Sequence, residues 1–470
     1  MGNTLNNNPN TPMVRALGFW SLWAIGVGAV VGDGVFLYSA AGVQIGGPST
    51  TLAFVFAGLI QMAIMLSMCE ISVGMPSAGG PTVWVTKYVG RYWGLLSGLA
   101  FSIGYMVLGG SVSIALGRIM AFWTPNWDLN FATIFWAVVL FTVFFVMNVF
   151  GVEFMGKGQL VLCIILIGIM AIFGIGGVIR GLNMEYFEPF MPYGIAGMTG
   201  VIPIATYAFM GASCICFAGE ECKKPKDMAR ALLWSSITFI VVYTLAIVVL
   251  LGTVFYRDVT TDIGTFVTAG EIIFGPVGAQ IINLAGVIAA GTCILTGCLY
   301  MPSRLMYSMS LRGYMPKFLG KLSPRTKVPV RGLVVCWVVG MLGILIAGIT
   351  EIAGEGYDGV MQFYFFMCNQ AVIAWVISWS FSIVAGMKFR LDYGKDRIKN
   401  EIDWLQPAFP IIPVIAIAGC AYVLFLSINR PMDIVGLAVW VGIYTIYYLR
   451  IRQKVKAGLI DDDISFITQR

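Results

Sequence analysis

Long apolar runs separated by short polar connectors dominate this chain. A helix needs roughly 20 apolar residues to cross a bilayer. Reading with that window predicts twelve crossing segments, near 17–44, 51–75, 92–123, 132–150, 158–179, 196–219, 232–255, 276–307, 329–349, 358–388, 409–427 and 433–450. The connectors hold most of the Pro, Asp, Lys and Arg, and none is long enough for a soluble domain. The pattern therefore predicts an all-α membrane protein with polar tails at 1–16 and 451–470. Residues 1–12 are Asn-rich and lack the basic region of a secretory signal, so the first apolar segment is expected to remain in the mature protein.

Composition agrees. Of 470 residues, 59% are hydrophobic and 11% charged. Soluble domains carry about 25% charge, so this chain cannot cover a water-facing surface of its size. The distribution of charge predicts orientation. With the N-terminus placed in the cytoplasm, 25 of the 29 Lys and Arg fall on that side. Only Arg118, Arg180, Arg257 and Arg430 fall outside. The expectation is a plasma membrane protein, bacterial by its compact loops, with both termini cytoplasmic. The net charge of +6 is this bias, not a nucleic-acid footprint.

Absences narrow the chemistry. The sequence has no histidine, which removes the histidine-based triads, metal sites and pH switches. The ten cysteines mostly lie in apolar runs and read as packing residues. No phosphate-binding Gly-x-x-x-x-Gly-Lys-Ser/Thr string occurs. No catalytic residues, metal, cofactor or nucleic-acid partner are expected, and the chain does not read as an enzyme.

Two segments are interrupted at matching places. The first contains Gly32-Asp33-Gly34, and the sixth contains Phe209-Met210-Gly211-Ala212-Ser213. Glycines flanking an aspartate hold a regular helix poorly. Non-helical backbone survives in a bilayer only where it is buried in protein or lines a cavity. Segments 1 and 6 begin two five-helix sets, spanning 17–180 and 196–390, with helices 11 and 12 added at 409–450. Such paired breaks point to inverted repeats around a midplane site.

Four strings also resemble the amino acid–polyamine–organocation (APC) superfamily of permeases, whose members have the LeuT-type fold. They are Gly32-Asp33-Gly34-Val35-Phe36, Glu70 through Val83, Gly219-Glu220-Glu221-Cys222-Lys223-Lys224-Pro225 with Arg230-Ala231, and Ser303-Arg304 through Lys317 with Pro329-Val330. The resemblance implies alternating access, a site between helices 1, 3, 6, 8 and 10, and transport of amino acids or related amines. The chain departs from the family pattern in three places. Asp33 stands where the family has Ser, Ala or Thr. Ala212 and Ser213 replace a large residue and Glu. The lysine that many members carry in helix 5 aligns with Leu166.

A mid-membrane carboxylate is expensive and reads as functional. Ionised, Asp33 would pair with a substrate ammonium or guanidinium; protonated, it would donate to a substrate carboxylate and couple transport to protons. The first reading is preferred, with proton coupling as a related one. Gly32, Gly34, Gly211, Ala212 and Ser213 would offer backbone or hydroxyl groups to the substrate. Phe209 would close the pocket as an aromatic lid, and Tyr105 and Asn369 would line its other walls. Glu70, Glu220, Glu221 and Arg304 lie near cytoplasmic ends and read as inner-gate ion pairs. The sequence thus predicts a secondary active transporter whose partners are a small amino acid or amine, protons and the lipid bilayer. A substrate-sensing receptor on a transporter fold and an amine exchanger without proton coupling are the alternatives.

Overall fold

The computed structural model describes residues 15–32, 34–259, 264–353, 359–402, 404–428 and 431–457. Asp33, the centre of the sequence-based site, lies outside them. The described chain is helical throughout, and ten of its stretches are long and apolar enough to cross a membrane. One of these, Phe19–Gly74, contains both the break in the first helix and a glycine turn at Gly47 (φ 59°). A shorter apolar helix, Ile411–Ser427, stands apart from the ten. Against the twelve crossing segments expected, the described residues show these ten stretches, one of them turned at Gly47, and two shorter apolar helices, Thr265–Phe274 and Ile411–Ser427.

Helices α1 (Phe19–Val30), α3 (Thr50–Gly74), α5 (Arg91–Met120), α8 (Gly194–Ala208), α11 (Pro276–Cys293) and α14 (Gly359–Tyr393) bring the central residues together. Around them lie α6 (Leu129–Val149), α7 (Val152–Arg180), α9 (Lys226–Thr253), α13 (Val330–Ala353) and α17 (Pro431–Lys456). Between segments sit α2 (Ser39–Gly46), α4 (Gly80–Tyr88), α10 (Thr265–Phe274), α12 (Met301–Leu311) and α15 (Lys395–Glu401), with α16 (Ile411–Ser427) packed on α3 and α14.

Lipid tails are as apolar as leucine, so these helices associate through close packing of small residues rather than the hydrophobic effect. Along α5, a β-carbon on Gly110 would lie 3.1 Å from the Gly340 carbonyl oxygen of α13, and one on Gly117 would fall on the backbone of Thr133 in α6. This close approach makes α5 the buried axis of the bundle.

Three irregular stretches have local causes. The first helix stops at Val30 and resumes as a π-helical turn, Gly34–Tyr38, before α2. The segment after α8 tightens to a 3₁₀ helix, Met210–Phe217. The helix formed by α11 and α12 passes through a π-helical turn at Ile294–Tyr300, immediately before Pro302 at the start of α12. Proline has no N–H to give the preceding turn, and a wide turn absorbs the missing bond. Within this turn the Leu295 carbonyl accepts from Asn148 Nδ2 at 3.0 Å.

Candidate functional site

The two interrupted helices cross backbone against backbone. A β-carbon on Gly211 would fall on the Ala29 carbonyl, and one on Gly34 would lie 2.8 Å from the Ala208 Cα. A β-carbon on Gly32 would lie 3.0 Å from the Cys293 Cβ of α11. Breaking α1 strands carbonyls that a regular helix would satisfy, and neighbours take them up. The Tyr243 hydroxyl of α9 donates to the Val30 carbonyl at 2.6 Å, and the Thr292 hydroxyl of α11 donates to the Val31 carbonyl at 3.5 Å. Nearly two turns earlier, Gln159 Nε2 of α7 donates to the Ala24 carbonyl of α1 (3.5 Å) and to the Thr292 carbonyl of α11 (3.4 Å). Polar side chains of α9 and α11 thus hold the unwound stretch, and Gln159 ties the helix before it to α11.

Tyr105 of α5 stands beside this crossing. Its hydroxyl lies 3.5 Å from Ser213 Oγ and accepts from Cys214 Sγ at 3.3 Å. Its ring meets Trp375 of α14 at a centroid distance of 3.7 Å, and a β-carbon on Gly297 would touch it at 3.4 Å. Both Trp375 Nε1 and the hydroxyl of Ser102, one turn before Tyr105, are buried without a hydrogen-bond partner. Buried polar groups are normally paired, and these two donors beside Tyr105 are exceptions.

The two ends of the bundle close differently. At the basic end, Glu221 takes a two-pronged ion pair from Arg304 (Nε and Nη2, each 3.1 Å) and a hydrogen bond from the Tyr300 hydroxyl. The guanidinium lies 3.6 Å from the Tyr300 ring centroid. The Leu17 N–H donates to the Glu221 carbonyl (3.0 Å) and the Lys223 N–H to the Leu17 carbonyl (2.8 Å), tying the entry of α1 to the exit of the sixth segment. At the opposite end the closure is aromatic. Tyr38 packs on Tyr207 (4.7 Å), Phe365 (5.5 Å) and Tyr364 (6.1 Å).

Comparison with known proteins agrees with this architecture. The sequence profile described as "Amino acid permease" matches residues 22–459. The chain belongs to the amino acid permease family. Among relatives, this permease is 25% identical to the amino-acid permease RocE of Bacillus subtilis over 97% of this chain and 99% of the relative. It is 26% identical to the aromatic amino acid transport protein AroP of Escherichia coli K12, over 92% and 94%. In fold it is similar to MhsT, solved in complex with L-phenylalanine, with a TM-score of 0.61 at 14% identity over 87% of this chain and 97% of that one. The permease is accordingly a multi-pass membrane protein of LeuT-like fold, and the relatives named are transporters rather than enzymes.

The permease brings Gly32, Gly34, Gly211 and Ser213 to one crossing, with Tyr105 beside Ser213 and Ala212 buried in the same 3₁₀ segment. Two residues sit elsewhere than the sequence reading placed them. Phe209 does not lie over the crossing. At the end of α8 its ring packs among Phe54 (5.8 Å), Phe239 (5.3 Å) and Tyr243 (5.2 Å), towards α3 and α9. Asn369 is turned to α16 and α17, where Nδ2 donates to the Ser427 carbonyl (3.0 Å) and Asp433 Oδ1 (2.9 Å).

The acidic residues take separate roles. Glu221 and Arg304 pair with each other. Glu220 Oε1 accepts from the Ala78 N–H at 3.2 Å, joining the sixth segment to the loop before α4. Glu70 pairs with Arg390 of α14, and the Gln406 N–H donates to the same oxygen at 2.5 Å. Sequence reasoning missed Tyr300, Trp375 and Arg390. Tyr300 alone had a readable signal, since it precedes Arg304 by four residues and so shares its helix face. All ten cysteines are buried, and none of them forms a disulfide.

Proposed function

We propose that this permease is a secondary active transporter that carries amino acids or related amines across the plasma membrane by alternating access. Its twelve spans form two inverted five-helix repeats (17–180 and 196–390) with two further helices, and both termini face the cytoplasm. The observation that carries the reading is the backbone-on-backbone crossing at Gly34 and Gly211, beside the hydroxyls of Tyr105 and Ser213. The N–H groups opening the second half of helix 1 suit a substrate carboxylate. Asp33, between two glycines of that crossing, serves the substrate amine and provides the route to proton coupling. Glu221 and Arg304 form the latch at the basic end, and the Tyr38 cluster the seal at the other. A substrate must break one and then the other.

The deciding experiment is a thermal-shift panel on wild type and Asp33→Asn with amino acids, their decarboxylated amines, polyamines and quaternary ammonium compounds. Proteoliposome uptake of the stabilising compounds, with and without a pH step, follows. Ligands bearing an ammonium should stabilise wild type and lose about a hundredfold in affinity in Asp33→Asn, the usual cost of stranding one partner of a desolvated pair. Equal stabilisation of both proteins would remove the Asp33 assignment, and binding without vesicle uptake would favour a sensor.

Tyr105→Phe deletes only the hydroxyl at Ser213. The melting temperature should stay near wild type while KM rises about fivefold, the worth of roughly one neutral hydrogen bond. An unchanged KM for every transported compound would place Tyr105 outside the substrate's reach.

A further inference from the structure

At the basic end, a second set of polar groups surrounds the loop between α3 and α4. A β-carbon on Gly219 would fall on the Ser77 N–H, so the exit of the sixth segment rests on that loop's backbone. The next residue, Glu220, accepts from the Ala78 N–H through Oε1 at 3.2 Å. From the other side, a β-carbon on Gly79 would lie 2.5 Å from Ser308 Oγ and 2.9 Å from Arg312 Nη1. Ser308 follows Arg304 by four residues, so it shares that residue's face of α12 one turn beyond the latch. Arg312 is the residue that ends α12.

The two charges approach consecutive residues of this loop without closing on each other. Among the described residues no ion pair or hydrogen bond joins Glu220 to Arg312, and Arg312 makes neither with any other residue. Burial holds the Arg312 guanidinium below its ordinary pKa, and the nearby Glu220 carboxylate only opposes that shift. Charges drawn out of water are normally paired. Here a carboxylate and a guanidinium are each short of a partner, and both side chains remain partly exposed, so a small solute can reach them. An α-amino acid answers both. Its ammonium donates to Glu220, and its carboxylate accepts from the guanidinium fork and the Ser308 hydroxyl. An amine or a carboxylic acid alone answers one charge and leaves the other.

We propose that Glu220, Ser308 and Arg312 form a second binding site, on the cytoplasmic side of the latch, for the zwitterionic backbone of an amino acid. The inference rests on the reading that amino acids pass through this permease, and it adds the place where a molecule released past Glu221 and Arg304 is next held. Glu220 adjoins Glu221 in sequence and Ser308 is a turn from Arg304, so the site is built from the neighbours of both halves of the latch. Its three contacts all go to the amino acid backbone, so amino acids with different side chains bind there alike.

The test uses the full chain in nanodiscs with Leu322→Cys as a reporter. Leu322 packs on Ala78 and Tyr307, beside the three binding side chains but not among them, and the native cysteines are buried. Labelling of the introduced thiol by a polar maleimide is timed by mass spectrometry with three mixtures. They are alanine, leucine and phenylalanine, then the decarboxylated amines of these, then the deaminated acids. The amino acids should slow labelling about fivefold at roughly 10 mM, as occupancy of a site of millimolar affinity requires. The amines and the acids should leave the rate near its ligand-free value. Arg312→Gln and Glu220→Gln should each remove the protection, and Asp33→Asn should keep it. Three results would each overturn the proposal: no protection by the amino acids, equal protection by the amines or the acids, or protection lost in Asp33→Asn. The central site is read separately by the thermal-shift panel, so either assignment can fail alone.

Discussion

Arg304→Met should destabilise the permease by about 3–5 kcal/mol, the range for removing one partner of a buried ion pair. Arg304 and Glu221 are 1% and 3% exposed. The guanidinium meets both carboxylate oxygens, so its loss leaves a buried charge answered only by the Tyr300 hydroxyl. The pair itself contributes little, because desolvating two ions offsets most of their attraction. The double variant Glu221→Gln/Arg304→Met should therefore recover most of the loss, since neither residue then strands a charge. Denaturation midpoints in detergent for wild type, the two single variants and the double variant complete the cycle. A double variant as unstable as Arg304→Met, or a single variant within about 1 kcal/mol of wild type, would show that the stranded charge is not the cause.

The double variant also tests the latch. Cys222 lies next to Glu221 in the loop before α9, and burial pushes its thiol up to about 12. The thiolate is the reactive form, so Cys222 should react slowly with a polar maleimide at neutral pH while the basic end is closed. Removing the latch without stranding a charge should speed labelling at Cys222. An unchanged rate would mean that the strand-like bridge between Leu17 and Cys222 closes this end without the ion pair.

The spans were legible because a bilayer imposes one length and one composition on every crossing. The breaks at Gly32–Gly34 and after Phe209 were legible because glycine is the residue that lets two backbones touch. The facing of side chains was not. α5 and α14 are apolar on nearly every side, so no stripe distinguishes a face towards lipid from one towards protein. The sequence marks Asn369 as a wall of the pocket and does not mark Trp375, six residues on along α14, and only the structure turns the first to Asp433 and the second to Tyr105. Ion-pair partners were hidden for a different reason. Glu70 and Arg390 are 320 residues apart, and a charge near a membrane face has many possible partners along the chain. The pairing of Glu221 with Arg304 is equally non-local, yet both residues lay in motifs already marked as gate elements.

Gly211→Ala should abolish the folded, transport-competent state, although it adds a single methyl group. That methyl falls on the Ala29 carbonyl and the Val30 amide, which are backbone rather than the end of a flexible side chain. Helix 1 cannot retreat. Tyr243 and Thr292 hold the carbonyls of Val30 and Val31 in place, and a β-carbon on Gly26 would already meet Ile215 at 2.5 Å on the same side. Overpacking a tight interior costs about 1–3 kcal/mol where neighbours can shift, and here the neighbours are main chain, so the upper end or beyond is expected. Gly34→Ala should act in the same direction but less severely, since its nearest backbone contact, the Ala208 Cα at 2.8 Å, is more distant. Gly168→Ala on α7 is the control. Nothing lies within 4 Å of a β-carbon there, so the change should be neutral or stabilise by roughly 0.5–1 kcal/mol through helix propensity. Size-exclusion profiles and melting curves in detergent, with uptake in proteoliposomes, separate misfolding from lost transport. A Gly211→Ala protein that melts with wild type and transports normally would mean that the two interrupted helices do not cross at this distance, and the central site drawn from that crossing would go with it.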